Sequence, residues 1–245
     1  MAMFRFLVSF GLLLGAQQAL ALVIGVYELS PHMVVDGQKE PAGAVVDFAR
    51  ELVAKAPDCG PLTWRPTSFA RSLRELETGE VDMVFMVARN EQRSKVFRYG
   101  SLPLFETRSA LVVPKGSSLA NLTSLEQVRG LQIGHANASI IPEYLRALNV
   151  VVHPISGDDY FFRGLKMLES KRIDAYFAPT LSNAQYQMRK YENADALTVQ
   201  PLPVEPLALY VVFSKTLDEK TYAKLDALIS ANQARYKLLL GNYLR

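Results

Sequence analysis

Short apolar segments alternate with amphipathic helical stretches along most of the chain, and this alternation constrains the fold more than any other feature. "LVIGVYEL" (22–29) is β-branched and apolar, the composition of a buried strand. A turn-rich stretch, "SPHMVVDGQKEPAG", separates it from "AVVDFARELVAKA" (44–56), where Val45, Phe48, Leu52 and Val53 share one helical face. "LTWRPTSF" reads as a strand and loop. "SFARSLRELETG" reads as a helix, with Ser68 as N-cap, Leu73 and Leu76 along one face and Gly79 as its stop. "VDMVFMVA" (81–88) is another buried strand. The order β-α-β-α-β calls for a parallel sheet with helices on both faces.

The pattern then restarts. "TRSALVVPKGSSL" (107–119) is a strand followed by a Pro/Gly/Ser break. After it come "LTSLEQVRG" as helix, "LQIGHA" as strand, "SIIPEYLRAL" as helix, "VVVHPI" as strand, "DDYFFRGLKMLESKR" as helix and "IDAYFA" as strand. The tail is a strand and then helical, with Leu225 and Leu228 facing inward, and it has no sheet of its own. It must return to the first unit. The expected fold is therefore α/β with two lobes, each a mostly parallel sheet flanked by helices. Lobe 1 is expected over 22–110 plus 205–245 and lobe 2 over 111–204, with hinge crossings near 107–114 and 200–206. Ligands in such sheets sit outside the carboxyl ends of the strands, so two such mouths should face each other across a cleft.

Composition narrows the function. "MAMFRFLVSFGLLLGAQQALA" has a short n-region with Arg5, an apolar run over 6–15, and Ala19-Leu20-Ala21 in the pattern of a cleavage site. That is the build of a secretory signal peptide, and the apolar run is shorter than the ~20 residues a membrane span needs. The expected product begins at Leu22, is periplasmic and is a soluble monomer. Lys plus Arg is 27 against 24 for Asp plus Glu, a formal charge of +3, and loss of Arg5 leaves +2 (3 − 1). No basic stripe marks a nucleic-acid face. Cys59 is the lone cysteine, and His32, His135 and His153 lack ligand spacing, so no disulfide, metal or cofactor is expected.

With the elements in this order, "RSLRELETGEVDMVFMVARNEQRSKVFRYGSLPLF" resembles the central signature of the family 3 extracellular solute-binding proteins, the amino-acid-type receptors of ABC importers. Gly79, Asp82, Arg93, Ser101 and Pro103 carry the match. Gly43, Asp47 and Ala49 match the family's first helix, and "LTSLEQVRGLQIGHANAS" and "LESKRIDAYFA" match its second lobe. The ordered set is specific where no single motif is.

The resemblance implies a type II periplasmic binding-protein fold and a receptor, not an enzyme, that closes on a small carboxylate ligand and works with an inner-membrane ABC permease. It implies that Arg93 holds the ligand's carboxylate. A guanidinium forks two N–H bonds onto a carboxylate, and a loop after a sheet strand is where ligands bind; Lys95 and Arg98 read instead as solvated surface charges. Ser139 is placed to meet the ligand from the second lobe or simply to cap the helix running into Leu145. Tyr27, Glu28, Val87 and Asn137 complete the expected lining, although Tyr27, like Trp64, also suits a core, and Glu28 also suits a strand-end surface charge.

Two departures stand out. The family's ammonium-binding aspartate falls on Pro179, whose side chain accepts no hydrogen bond, so Glu28, Asp158 or Asp159 would have to replace it. The family's small polar residues before the arginine are replaced by "FMVA". An enzyme on the same scaffold, such as a dehydratase of prephenate-like acids using Arg93 to bind and Glu28 as acid, is the alternative, as is a receptor that signals without transport.

Overall fold

β1 (Leu22–Val26) begins where the apolar pattern begins, and Leu22, Ile24 and Val26 are all buried. A computed structural model of the protein describes residues 21–37, 40–137, 141–156 and 159–245. The expected signal peptide (apart from Ala21), Ser139 and Asp158 lie outside the described residues.

From β1 the chain runs through α1 (Ala44–Ala54), β2 (Leu62–Pro66), α2 (Phe69–Thr78), β3 (Met83–Ala88), α3 (Glu91–Val96), β4 (Arg98–Tyr99) and β5 (Phe105–Thr107). It crosses into a second sheet with β6 (Ala110–Pro114), β7 (Gln132–Ala136), α4 (Glu143–Arg146), β8 (Val151–Ile155), α5 (Tyr160–Glu169), β9 (Ala175–Ala178), α6 (Leu181–Met188) and β10 (Leu197–Pro201). It returns with β11 (Leu207–Phe213), α7 (Glu219–Ala231) and α8 (Gln233–Tyr243).

The first sheet has the order β2-β1-β3-β11-β4, with β5 also paired to β11; the second has the order β10-β6-β9-β7-β8. In each sheet the βαβ strands run parallel, while β11 runs antiparallel to β3 and β6 runs antiparallel to β9. One core lies in the first lobe, with Phe48, Phe85, Phe213 and Tyr236 among its buried rings. The second lobe has a separate core on each face of its sheet, one around Tyr176 and the other around Phe177.

Several expected helices are shorter or broken for local reasons. The helix expected over "SIIPEYLRAL" starts only at Glu143, because a residue before proline is driven out of helical backbone and Ile141 precedes Pro142. "LTSLEQVRG" forms one 3₁₀ turn, Leu125–Val128, closed by a reciprocal Ser124–Gln127 capping box and followed by Gly130 at φ 71°. The tail helix divides at Asn232, whose side-chain amide donates to the Leu228 carbonyl at 2.7 Å. The segment after β3, expected as a loop, is the short helix α3, capped by Asn90, whose Oδ1 accepts from the Arg93 N–H at 2.8 Å.

Candidate functional site

The carboxyl ends of β1 and β3 and the N-terminus of α2 meet at one place in the first lobe. Tyr27 directly follows β1 and Phe69 opens α2; their rings lie 4.7 Å apart, centroid to centroid. In β3, two residues, Phe85 and Met86, stand opposite the single Val211 of β11, a bulge that re-aims the backbone. Met86 takes φ 61°, rare for a residue with a side chain. The Tyr27 hydroxyl donates to the carbonyls of both bulged residues, at 3.3 Å for Phe85 and 2.9 Å for Met86. Burial pushes the Tyr27 phenol well above its ordinary pKa, against the opposing pull of the Arg93 charge.

Arg93 is half-buried at the mouth of this cluster. Its guanidinium lies 5.3 Å above the Phe69 ring, and its Nη1 donates to the Ala88 carbonyl at 3.0 Å. The Tyr99 hydroxyl donates to the same carbonyl at 3.1 Å. Beyond Tyr99 stands Arg89, held between the rings of Tyr99 (4.7 Å) and Tyr210 (4.4 Å). Neither arginine pairs with a carboxylate among the described residues.

The remaining expected residues fall out as follows. Glu28 is exposed at the end of β1, but its carboxylate is engaged: Oε1 accepts from the Ser30 N–H at 3.1 Å and from the Ser30 hydroxyl, and Oε2 from the Val35 N–H at 2.9 Å. Val87 is fully buried in the first-lobe core. Asn137 is exposed at the end of β7, where its N–H donates to the Ile155 carbonyl at 2.9 Å. Asp159 is exposed, 3.9 Å from Arg163. Trp64 is half-buried on β2, at the edge of the first sheet and away from this cluster, with Arg50 6.0 Å above its ring.

Lys95 is exposed and pairs with exposed Glu91 at 2.8 Å. Arg98 departs from the solvated surface role expected of it. Its side chain is only 21% exposed; it pairs with Glu219 at 2.7 Å and donates to the carbonyls of Ser214, Lys215 and Leu217. The guanidinium also covers the Tyr222 ring at 4.7 Å. It pins the two-residue strand β4 to the segment between β11 and α7.

The profile of the bacterial extracellular solute-binding proteins, family 3, matches residues 22–238. The chain belongs to this family. No curated protein matches it in sequence. Among solved structures, this solute-binding protein is similar to the GluR0 ligand-binding core in complex with L-glutamate (TM-score 0.77, 14% identity, 93% of this chain and 99% of that one). It is also similar to a histidine kinase sensor domain with similarity to periplasmic binding proteins (TM-score 0.73, 16% identity, 93% and 97%). A third likeness is to the amino acid ABC transporter substrate-binding protein AbpA from Streptococcus pneumoniae bound to L-arginine (TM-score 0.71, 19% identity, 91% and 94%).

In this solute-binding protein the two lobes touch at the turn that follows β1. The Ser30-Pro31-His32 turn of the first lobe meets α6 of the second. Asn183 Nδ2 donates to the Ser30 carbonyl at 2.7 Å, and His32 Nε2 lies 2.7 Å from Ser182 Oγ. His32 Nδ1 contacts the Tyr236 hydroxyl on α8. Gly43 lets this turn pack on the start of α1: at φ 112°, a Cβ there would fall 2.7 Å from the His32 carbonyl oxygen. Sequence reading passed over Ser182 and Asn183 because an ordinary helix start, with Thr180 as cap, carries no sign of the loop it docks against.

Proposed function

We propose that the protein is a periplasmic receptor that encloses a small carboxylate between its lobes and delivers it to an ABC-type importer in the inner membrane, acting without catalysis. The observation that carries this reading is Arg93: a half-buried guanidinium at the carboxyl end of a central strand, fixed by Phe69 and the Ala88 carbonyl, with no carboxylate partner among the described residues. Partial burial of an unpaired charge is costly, and a ligand carboxylate would offset that cost. One Arg93 bond is used by Ala88, which leaves a fork of N–H donors for a ligand. The neighbours solved with L-glutamate and with L-arginine bound support a cleft of amino-acid size.

The export route proposed is a signal peptide over residues 1–21. Among the described residues, no helix is long and apolar enough to cross a membrane. Glu28 as a proton donor would have to abandon the turn it caps, so the receptor reading is favoured over the dehydratase.

A thermal-shift screen over amino acids, keto-acids and hydroxy-acids tests the proposal. A ligand at a hundredfold its dissociation constant should add about 2.7 kcal/mol of stability. Silence across the whole set would remove the small-carboxylate reading.

A further inference from the structure

We propose that the cleft selects a carboxylate without an ammonium group, a keto-, hydroxy- or dicarboxylic acid, over a zwitterionic amino acid. The proposal rests on the reading of Arg93 as carboxylate anchor and narrows it. The argument is a count of acceptors. An ammonium brings three donors and a positive charge, so its site must offer open acceptors and, in a cleft of low dielectric, negative charge.

Among the described residues, each acceptor around the cluster already holds at least one donor. The Ala88 carbonyl receives both Arg93 Nη1 and the Tyr99 hydroxyl, filling its two lone pairs. The carbonyls of Phe85 and Met86 share the single proton of the Tyr27 hydroxyl, the shorter bond going to Met86. On the second-lobe side, the Pro179 carbonyl receives the Ser109 hydroxyl at 3.3 Å, and Thr180 Oγ1 caps α6 by accepting from the Asn183 N–H at 3.3 Å. The Ser30 carbonyl is taken by Asn183, and the Pro31 and His32 carbonyls by the first N–H groups of α1. The Glu28 carboxylate, at the end of β1, already accepts three hydrogen bonds out of about four it can take.

Donors and positive charge remain. Arg93 has further N–H groups to give, and Arg89, one tyrosine ring away, adds a second cation to the same wall. An ammonium there would meet like charge, the filled Ala88 carbonyl and carbonyls that already hold a donor. A carboxylate, keto or hydroxyl oxygen would meet open donors.

The test is a set of matched pairs. Each standard amino acid is titrated calorimetrically into the full-length mature protein beside its 2-oxo or 2-hydroxy counterpart, with the same side chain and carboxylate. In every pair that binds, the oxygen-bearing member should bind at least about tenfold more tightly. An amino acid that binds as tightly as its counterpart overturns the proposal. The same titrations on Arg93→Ala separate the two claims: if the tight binder loses nothing in that variant, the Arg93 reading fails, whichever member won. If no member of any pair binds, both fall.

Discussion

His32 Nε2 lies 2.7 Å from Ser182 Oγ, a hydrogen bond between fully buried groups that belong to opposite lobes. On its other side the same ring contacts the Tyr236 hydroxyl and packs 5.1 Å from Phe105. His32 thus ties α6 of the second lobe to α8 of the first. Removing the Ser182 hydroxyl leaves a buried ring nitrogen without its partner, which costs about 1–3 kcal/mol. Ser182→Ala should therefore lower stability by that amount in urea denaturation and, in small-angle scattering, enlarge the ligand-free molecule as the lobes part. Unchanged stability together with an unchanged radius of gyration would show that the contact holds nothing closed.

The same burial makes the latch sensitive to acid. Loss of hydration holds the His32 imidazole neutral and lowers its pKa from 6.5 to about 4. A group whose folded pKa lies below its unfolded value leaves the unfolded chain binding more protons between the two, so stability rises with pH in that window. The contribution is fully present above pH 6.5 and is lost as pH falls toward 4. The shift corresponds to about 3 kcal/mol. Other groups also titrate there, among them Glu75, whose pKa is lowered first by its hydrogen bond from Arg71. The comparison should therefore be with His32→Gln: between pH 7 and 4 the parent should lose about 3 kcal/mol more than the variant. Parallel stability profiles would refute it.

Arg98 should behave as a structural residue. Its carbonyl partners at Ser214, Lys215 and Leu217 are gathered around one guanidinium, while Glu219, 80% exposed, adds little as an ion pair. Arg98→Ala should cost roughly 2–4 kcal/mol, since hydrogen bonds to a charged group are worth more than neutral ones. Ligand affinity, measured on the folded fraction, should stay near that of the parent. A variant as stable as the parent would return Arg98 to the solvated role that its sequence neighbourhood suggests.

What could be read in advance divides by the range of the interaction involved. The strands "LVIGV" and "MVFMVA" and the helix of Val45, Phe48 and Leu52 were legible because burial repeats at a fixed period. The crossing into a second sheet was legible from the restart of that pattern. Arg98 was misread because its partners lie more than a hundred residues away, where no local spacing registers them. The bulge at Phe85 and Met86 was hidden for the same reason: it exists only against Val211. The replacement of small polar residues by "FMVA" was visible as a departure. Its consequence, carbonyls turned toward Tyr27, depends on a ring brought in from β1.

Variants of Arg93 give the sharpest test of the candidate site. Its backbone is fixed by the Asn90 cap and its guanidinium by Phe69 and the Ala88 carbonyl, so the side chain is pre-oriented and loses little freedom on binding. Truncating one partner of a buried charge pair costs about 2–5 kcal/mol, so Arg93→Ala should weaken binding of the acid found by screening by about thirtyfold or much more. Arg93→Lys keeps the charge but cannot reproduce the planar fork, and should recover only part of the loss. Lys95→Ala removes an exposed pair with Glu91 and should change neither affinity nor stability by more than about 0.5 kcal/mol. Because Arg93 supports no carboxylate elsewhere among the described residues, Arg93→Ala should also remain folded, and its urea midpoint checks that independently of binding. A folded Arg93→Ala that binds like the parent would place the ligand elsewhere in the cleft.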